Sequence, residues 1–203
     1  MKVRRTKNEE QNSPRVITSI PSFTEHVYWE SLKERKIILN EEISDAIVER
    51  VVMPIIKFNE EDKDIPKDQR KPIELYISSY GGSCYDGFSL MSAIESSITP
   101  VHTICLGYAM SMGLGIFVAG HHRKCYSFST FMYHEIMSAA EGKAEEINRA
   151  TQEYKRLQKM YDDFVLAKTN LTSKKLGLIK KKMIDWYIGA DEAKALGIVH
   201  EIL

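Results

Sequence analysis

Cysteine is scarce in this chain and poorly spaced for most of its uses. The three cysteines, Cys84, Cys105 and Cys125, are an odd number with no CxxC pair, which excludes a disulfide framework and a cysteine zinc cluster. A reducing, cytoplasmic setting suits such a chain, and Cys105, inside an apolar run, reads as a small buried hydrophobe. A surplus of either charge is missing too, because 28 Lys+Arg stand against 28 Asp+Glu. Nucleic acid and anionic membranes select basic surfaces, so neither is expected as a partner. Zero net charge also lowers the barrier to self-association. Long apolar runs are absent. The longest, Met110 to Gly120, contains three glycines and falls short of the ~18 residues of a membrane span. The first twelve residues are charged and polar, without the apolar centre of a signal peptide. The expectation is a soluble protein.

What is there suffices for one core: 203 residues, 43% of them hydrophobic, read as a single domain over 16–203 behind a flexible or processed leader, 1–15. Lys36 to Leu39 reads as a strand. Asn40 then reads as a helix N-cap with Glu41 and Glu42 in the first turn, and Ile43, Ile47 and Val51 repeat at helical spacing. Pro54 bends or ends that helix, and Asn59 to Pro72, almost wholly charged, reads as a solvated loop. Ile73 to Ile77 is a strand, Tyr80 to Ser83 a tight turn, and Cys84 to Ser97 a helix. Val101 to Leu106 is a second strand, which Gly107 turns towards a helix beginning near Ser111. Two successive strand–turn–helix units imply parallel pairing with right-handed crossovers. Lys124 to His134 supplies more strand material. Residues 143–168 give the longest helical signal, with Ile147, Ala150, Tyr154, Leu157, Tyr161 and Phe164 on one face. Glu145–Arg149 and Arg149–Glu153 are spaced to pair along it. Such a helix is ~40 Å long at ~1.5 Å per residue, so it crosses the core or projects to meet a partner. A last helix starts at Ala190, and Gly197 stops it before a strand at Ile198-Val199.

Ser111 follows a strand and opens an apolar helix containing glycines. A helix start offers free N–H groups and the positive end of the dipole, which can stabilise an oxyanion beside a serine hydroxyl. The blander reading is a serine that only caps the helix. Gly81-Gly82, at the end of the preceding strand, lets backbone N–H groups approach a ligand, and parallel strands deliver their C-terminal ends to one side. A serine nucleophile needs a base. Of six histidines, His134 ends the apolar strand Ser129 to Tyr133 and so falls on that same edge. His121-His122 reads as a solvated turn, and nothing converges on His26, His102 or His200. Spacing alone does not choose the carboxylate that would orient the imidazole. Asp185 stands in an apolar context, where a buried carboxylate needs a partner, whereas Glu135 would point to the other side of the strand.

Taken together and in order, these segments resemble the Clp protease proteolytic subunit (ClpP) family. Tyr76-Ile77-Ser78-Ser79-Tyr80-Gly81-Gly82-Ser83 resembles the family's Gly-Gly turn. Thr103 to Gly113, with Ala109-Met110-Ser111-Met112-Gly113, resembles its nucleophile motif. Phe131-Met132-Tyr133-His134 resembles the histidine segment, and Asp185 to Ala193 the segment that begins with the aspartate. The resemblance runs from about Tyr28 to Leu203. It implies an α/β ClpP/crotonase-like spiral of ββα repeats with a projecting handle helix at about 143–168. It also implies a serine endopeptidase in which Ser111 is nucleophile, His134 base and Asp185 its orienter. Met112 and one amide of Gly81-Gly82 would form the oxyanion hole, with no metal or organic cofactor required. The implied partners are unfolded polypeptides, an AAA+ ATPase unfoldase and further copies of the chain in heptameric rings, single or double. The chain departs from the family pattern at Tyr80 (a proline), Glu135-Ile136 (Gln-Pro), Ile184 (an arginine at the junction of rings) and Glu74 (a tyrosine of the ATPase-docking pocket). Two alternatives compete: a latent or structural ring subunit, and an acyl-CoA hydratase or isomerase on the related crotonase fold. Such ring subunits lack triad members and such hydratases use carboxylate bases, so a complete Ser/His/Asp set argues against both.

Overall fold

A computed structural model describes residues 22–203; the leader expected over 1–15 lies outside the described residues. Helix α1 (Phe23–Lys33) opens on a capping box, Ser22 Oγ accepting from the Glu25 N–H while Glu25 accepts from the Ser22 N–H. The Ser-x-x-Glu spacing is its sequence signal. No residue of α1 is buried, so local capping rather than packing defines it within the chain.

Strand β1 (Lys36–Leu39) forms where expected, but Asn40 caps nothing. Ile43 instead bridges to Gly82, and helical structure begins at Ala46. It passes through a π turn at Val48–Val52 into α2 (Met53–Asp62). Pro54 therefore sits inside the helix without ending it. Its missing N–H would break an α turn, and the wider turn absorbs the defect, the Met53 N–H reaching back to the Val48 carbonyl. As a result Asn59 to Asp62 are the last turn of α2, not loop. Asp62 is fully buried and clasps the Arg35 guanidinium at 2.5 and 2.6 Å, with the Thr99 hydroxyl at 2.7 Å. Arg35 holds its carboxyl below the usual range.

Strands β2 (Ile73–Ser79), β3 (Val101–Met110), β4 (His122–Cys125) and β7 (Glu201–Ile202) extend β1 into a parallel sheet ordered β1-β2-β3-β4-β7. Gly107 does not turn the chain. It lies within β3, between Cys105, the last residue paired with β4, and Tyr108, the first paired with β5 (Thr130–Tyr133). The strand material expected over Lys124–His134 falls into β4 and β5, the latter close to the expected Ser129–Tyr133 strand, and β5 also pairs antiparallel with β6 (Trp186–Gly189). Helices α3 (Cys84–Glu95) and α4 (Met112–Ala119) follow β2 and β3, and every residue of α4 is buried.

Helix α5 (Ala144–Lys168) resolves the choice between crossing and projecting by doing both. Leu157, Tyr161 and Val165 are buried, each worth about 1.5–3 kcal/mol, while residues 144–149 are exposed throughout. The ion pairs within the helix are Glu153–Arg156 and Lys159–Asp163 rather than the expected Glu145–Arg149–Glu153 ladder. Helices α6 (Ser173–Lys182) and α7 (Ala190–Ala195) complete the chain. Gly197, at φ 67°, ends α7 as expected, but Ile198 and Val199 are buried without joining the sheet. The buried Arg123 guanidinium ties this turn down by donating to the carbonyls of Val118, Lys168, Gly197 and Ile198.

Candidate active site

Strands β2, β3 and β5 run parallel through β3, so the residues that follow them, Tyr80 to Gly82, Ser111 and His134, emerge at one edge. Ser111 adopts φ 52°, ψ −124°, a region that costs a non-glycine residue about 1–3 kcal/mol and survives only where its surroundings impose it. Those surroundings are visible: the Ser111 N–H donates to the Met132 carbonyl at 2.9 Å, and the Ser111 carbonyl accepts from the Tyr161 hydroxyl at 2.7 Å. The side chain makes no capping bond. Its Oγ lies 2.7 Å from His134 Nε2, so the capping reading of this serine fails.

Asp185 reaches the histidine through sheet register. Antiparallel pairing sets Tyr133 opposite Trp186, and one further step along each strand sets His134 beside Asp185. Asp185 Oδ1 stands 3.5 Å from His134 Nδ1, with side-chain exposures of 51% for the aspartate and 12% for the histidine. The buried carboxylate expected from the apolar neighbours Ile184 and Trp186 is therefore half open to water. The cleft that Ser111, His134 and Asp185 share with Gly82, Met137 and Tyr187 measures about 510 Å³.

The two glycines differ in use. A Cβ on Gly81 would lie 2.8 Å from Ser111 Cβ and 3.0 Å from the Met112 nitrogen, and φ is +104°, so only glycine allows this close approach. The Gly81 N–H is already engaged, donating to Ser79 Oγ at 3.2 Å. The Gly82 N–H donates to no acceptor among the described residues, and the Met112 N–H, at the first position of α4, has no intrahelical acceptor. Of the three positions expected to form an oxyanion hole, Gly82 and Met112 offer donors and Gly81 offers room.

Sequence reasoning missed the layer behind the cleft. Tyr161 read as one apolar residue of a stripe, yet its ring packs against Gly115 of α4, where a Cβ would come within 2.6 Å, and its hydroxyl holds the Ser111 carbonyl. Gln158 and Asp162, on the same face of α5, are also buried. Two polar residues beside an apolar stripe, at i and i+4, were the available signal. The phenols of Tyr133 and Tyr161 are pushed far up, by burial first and by the Asp162 carboxylate second, so both stay donors. Burial also raises the Cys105 thiol to about 12, as befits a small hydrophobe. His102 and His200, on which nothing was expected to converge, and His122, read as part of a solvated turn, line up across β3, β4 and the residue before β7. Their ring centres are 5.4 Å apart, edge-on between His102 and His122 and tilted between His122 and His200. The β3–β4 register brings His102 opposite His122. Among the described residues no group of His, Cys, Asp and Glu is arranged to hold a metal ion, and no helix is long and apolar enough to cross a membrane.

Two comparisons bear on this arrangement. The family model described as Clp protease matches residues 22–203. The ATP-dependent Clp protease proteolytic subunit of Dehalococcoides mccartyi is 31% identical over 179 residues, covering 87% of this chain and 86% of that protein. The mixed α/β architecture with its parallel sheet accords with the ClpP/crotonase-like fold expected from the motifs.

Proposed function

The chain belongs to the Clp protease family, and we propose that it is a serine endopeptidase, the proteolytic subunit of an ATP-dependent Clp-type protease, acting on unfolded polypeptides and short peptides. The observation that carries this reading is the 2.7 Å approach of Ser111 Oγ to His134 Nε2 at a strained backbone position. In the proposed reaction Ser111 Oγ attacks the scissile carbonyl while His134 Nε2 takes its proton. The resulting oxyanion is met by the N–H groups of Met112 and Gly82, donors of a kind worth ~10²–10³ in turnover each. His134 returns the proton to the leaving amine, and water then cleaves the acyl-enzyme by the same steps in reverse order. Asp185 orients the imidazole and stabilises its cation.

The substrate would lie extended between Gly82-Ser83 and Ile136 to Ala140, both flanking the cleft and free of regular structure on the latter side. Main-chain pairing of this kind tolerates many sequences. A tolerant peptidase needs seclusion, so the proposal includes heptameric rings, single or paired, fed by an AAA+ ATPase in the cytoplasm. The outer half of α5 supports it, because Ile147 is 39% exposed on a helix that reaches past the core. Hydrolysis of a fluorogenic peptide by the purified chain, lost in Ser111→Ala, tests the activity without the ATPase.

One observation favours a second reading, a ring subunit that is latent until a partner binds. The 3.5 Å spacing and half exposure of Asp185 leave the imidazole loosely oriented on that side. A latent subunit would hydrolyse the peptide only after its ATPase is added.

A further inference from the structure

One turn of α5 reaches both halves of the candidate site. Gln158, Tyr161 and Asp162 stand at i, i+3 and i+4, all more than nine-tenths buried. Tyr161 Oη donates to the Ser111 carbonyl at 2.7 Å. Gln158 Oε1 accepts from the Ile136 N–H at 2.7 Å, two residues after His134. Asp162 Oδ1 accepts from the hydroxyl of Tyr133, the residue before His134, at 2.5 Å, and from Gln158 Nε2 at 2.8 Å. The backbone of His134 is thus held on both sides by the helix that also holds Ser111.

The polarity of this network has a direction. A carboxylate only accepts hydrogen bonds, and a primary amide has one accepting and one donating end. Facing Asp162, the Gln158 amide must present its NH2, which leaves Oε1 towards Ile136. Lys180 Nζ donates to the other Asp162 oxygen, so both carboxylate oxygens are engaged as acceptors. We infer that Gln158, Tyr161 and Asp162 are positioning residues, with Asp162 fixing the Gln158 amide so that the segment 133–136, and His134 within it, stays in register with Ser111. The inference rests on the reading of Ser111 and His134 as nucleophile and base. None of the three touches the reacting atoms. A displacement of about 1 Å in a reacting group can cost ~10² in rate, so their effect falls on the chemical step.

The test uses the full chain and four variants: Gln158→Leu, Tyr161→Phe, Asp162→Asn and the double Asp162→Asn/Lys180→Gln. Two readouts are needed, the rate of fluorophosphonate labelling at Ser111 and hydrogen exchange of the 133–137 segment by mass spectrometry. Gln158→Leu should exchange this segment at least ~10-fold faster and, with the protein folded, label at least ~10-fold more slowly at unchanged KM for peptide. Tyr161→Phe, which removes one oxygen, should slow labelling without changing that exchange. Asp162→Asn cannot accept from Tyr133 and Gln158 without turning a donor on Lys180, and should behave as Gln158→Leu. The double variant replaces that clash by an amide–amide bond and should recover most of the lost rate. Unchanged exchange in Gln158→Leu overturns the inference whatever the activity. So do wild-type labelling rates in both Gln158→Leu and Tyr161→Phe. If the unaltered protein does not label at Ser111 while Gln158→Leu still loosens the segment, the peptidase reading fails and the anchoring stands.

Discussion

Asp185 Oδ1 stands 3.5 Å from His134 Nδ1 and its side chain is half open to solvent, whereas the other ring nitrogen lies 2.7 Å from Ser111 Oγ. The site is tight on its nucleophile side and loose on its carboxylate side. An orienting carboxylate matters through tautomer and cation, so its removal is expected to be costly despite the spacing. His134→Ala and Asp185→Ala should each lower turnover per folded molecule at least ~10²-fold. Glu135→Gln, next in sequence but exposed, should leave it within about twofold of the unaltered protein, a surface change outside the proposed chemistry. Retained turnover in Asp185→Ala would move the orienting role elsewhere.

Assembly is checked by multi-angle light scattering. A heptameric ring has seven times the 23.3 kDa mass of the chain, and two rings fourteen. Ile147, at the exposed end of α5, is the side chain to alter, because Leu157 is buried within its own chain and its replacement by a charge would damage the fold itself. Ile147→Asp should shift paired rings towards single rings or smaller species while leaving the thermal midpoint of the subunit within a few degrees. A monodisperse monomer with full peptidase activity contradicts the ring proposal.

Acid should weaken the fold in two separate windows. Burial, followed by the neighbouring His122, holds the His102 imidazole below its ordinary 6.5. Between those two values the unfolded chain binds more protons than the folded one, so stability declines as pH falls through 6.5 and levels off below the folded value. Asp62 works through the opposite kind of group. Arg35 holds its carboxyl below 3.8, so its contribution is complete above 3.8 and is lost as pH falls towards the depressed value. Urea titrations across pH should show both declines, with His102→Gln shrinking the upper one, to which His200, also held below 6.5 by burial first and Arg123 second, contributes the rest. Asp62→Ala should remove the lower one and cost about 3–5 kcal/mol at neutral pH, because it strands Arg35.

What the sequence discloses depends on how far apart the interacting groups are. β1, the Gly81-Gly82 turn and the serine after β3 are readable because strand composition, glycine and the strand-to-helix step are local. The helix start near residue 40 was misread because Ile43 pairs with Gly82, nearly forty residues on, and that bond outcompetes the local cap at Asn40. Asp62 looked like one charge in a polar run because its partner Arg35 lies 27 residues back. Ser111, His134 and Asp185 were each ambiguous alone and were singled out by motif order. Tyr161, Gln158 and Asp162 were hidden because a hydroxyl or amide at the edge of an apolar stripe shows its use only when the facing strand is known.

The most direct measurement is to treat the purified protein with a fluorophosphonate and locate the adduct by peptide mass spectrometry. The account predicts a single adduct, on Ser111, that is absent in Ser111→Ala together with all peptide cleavage. An adduct on Ser79 or Ser83, or labelling that persists in Ser111→Ala, would contradict it.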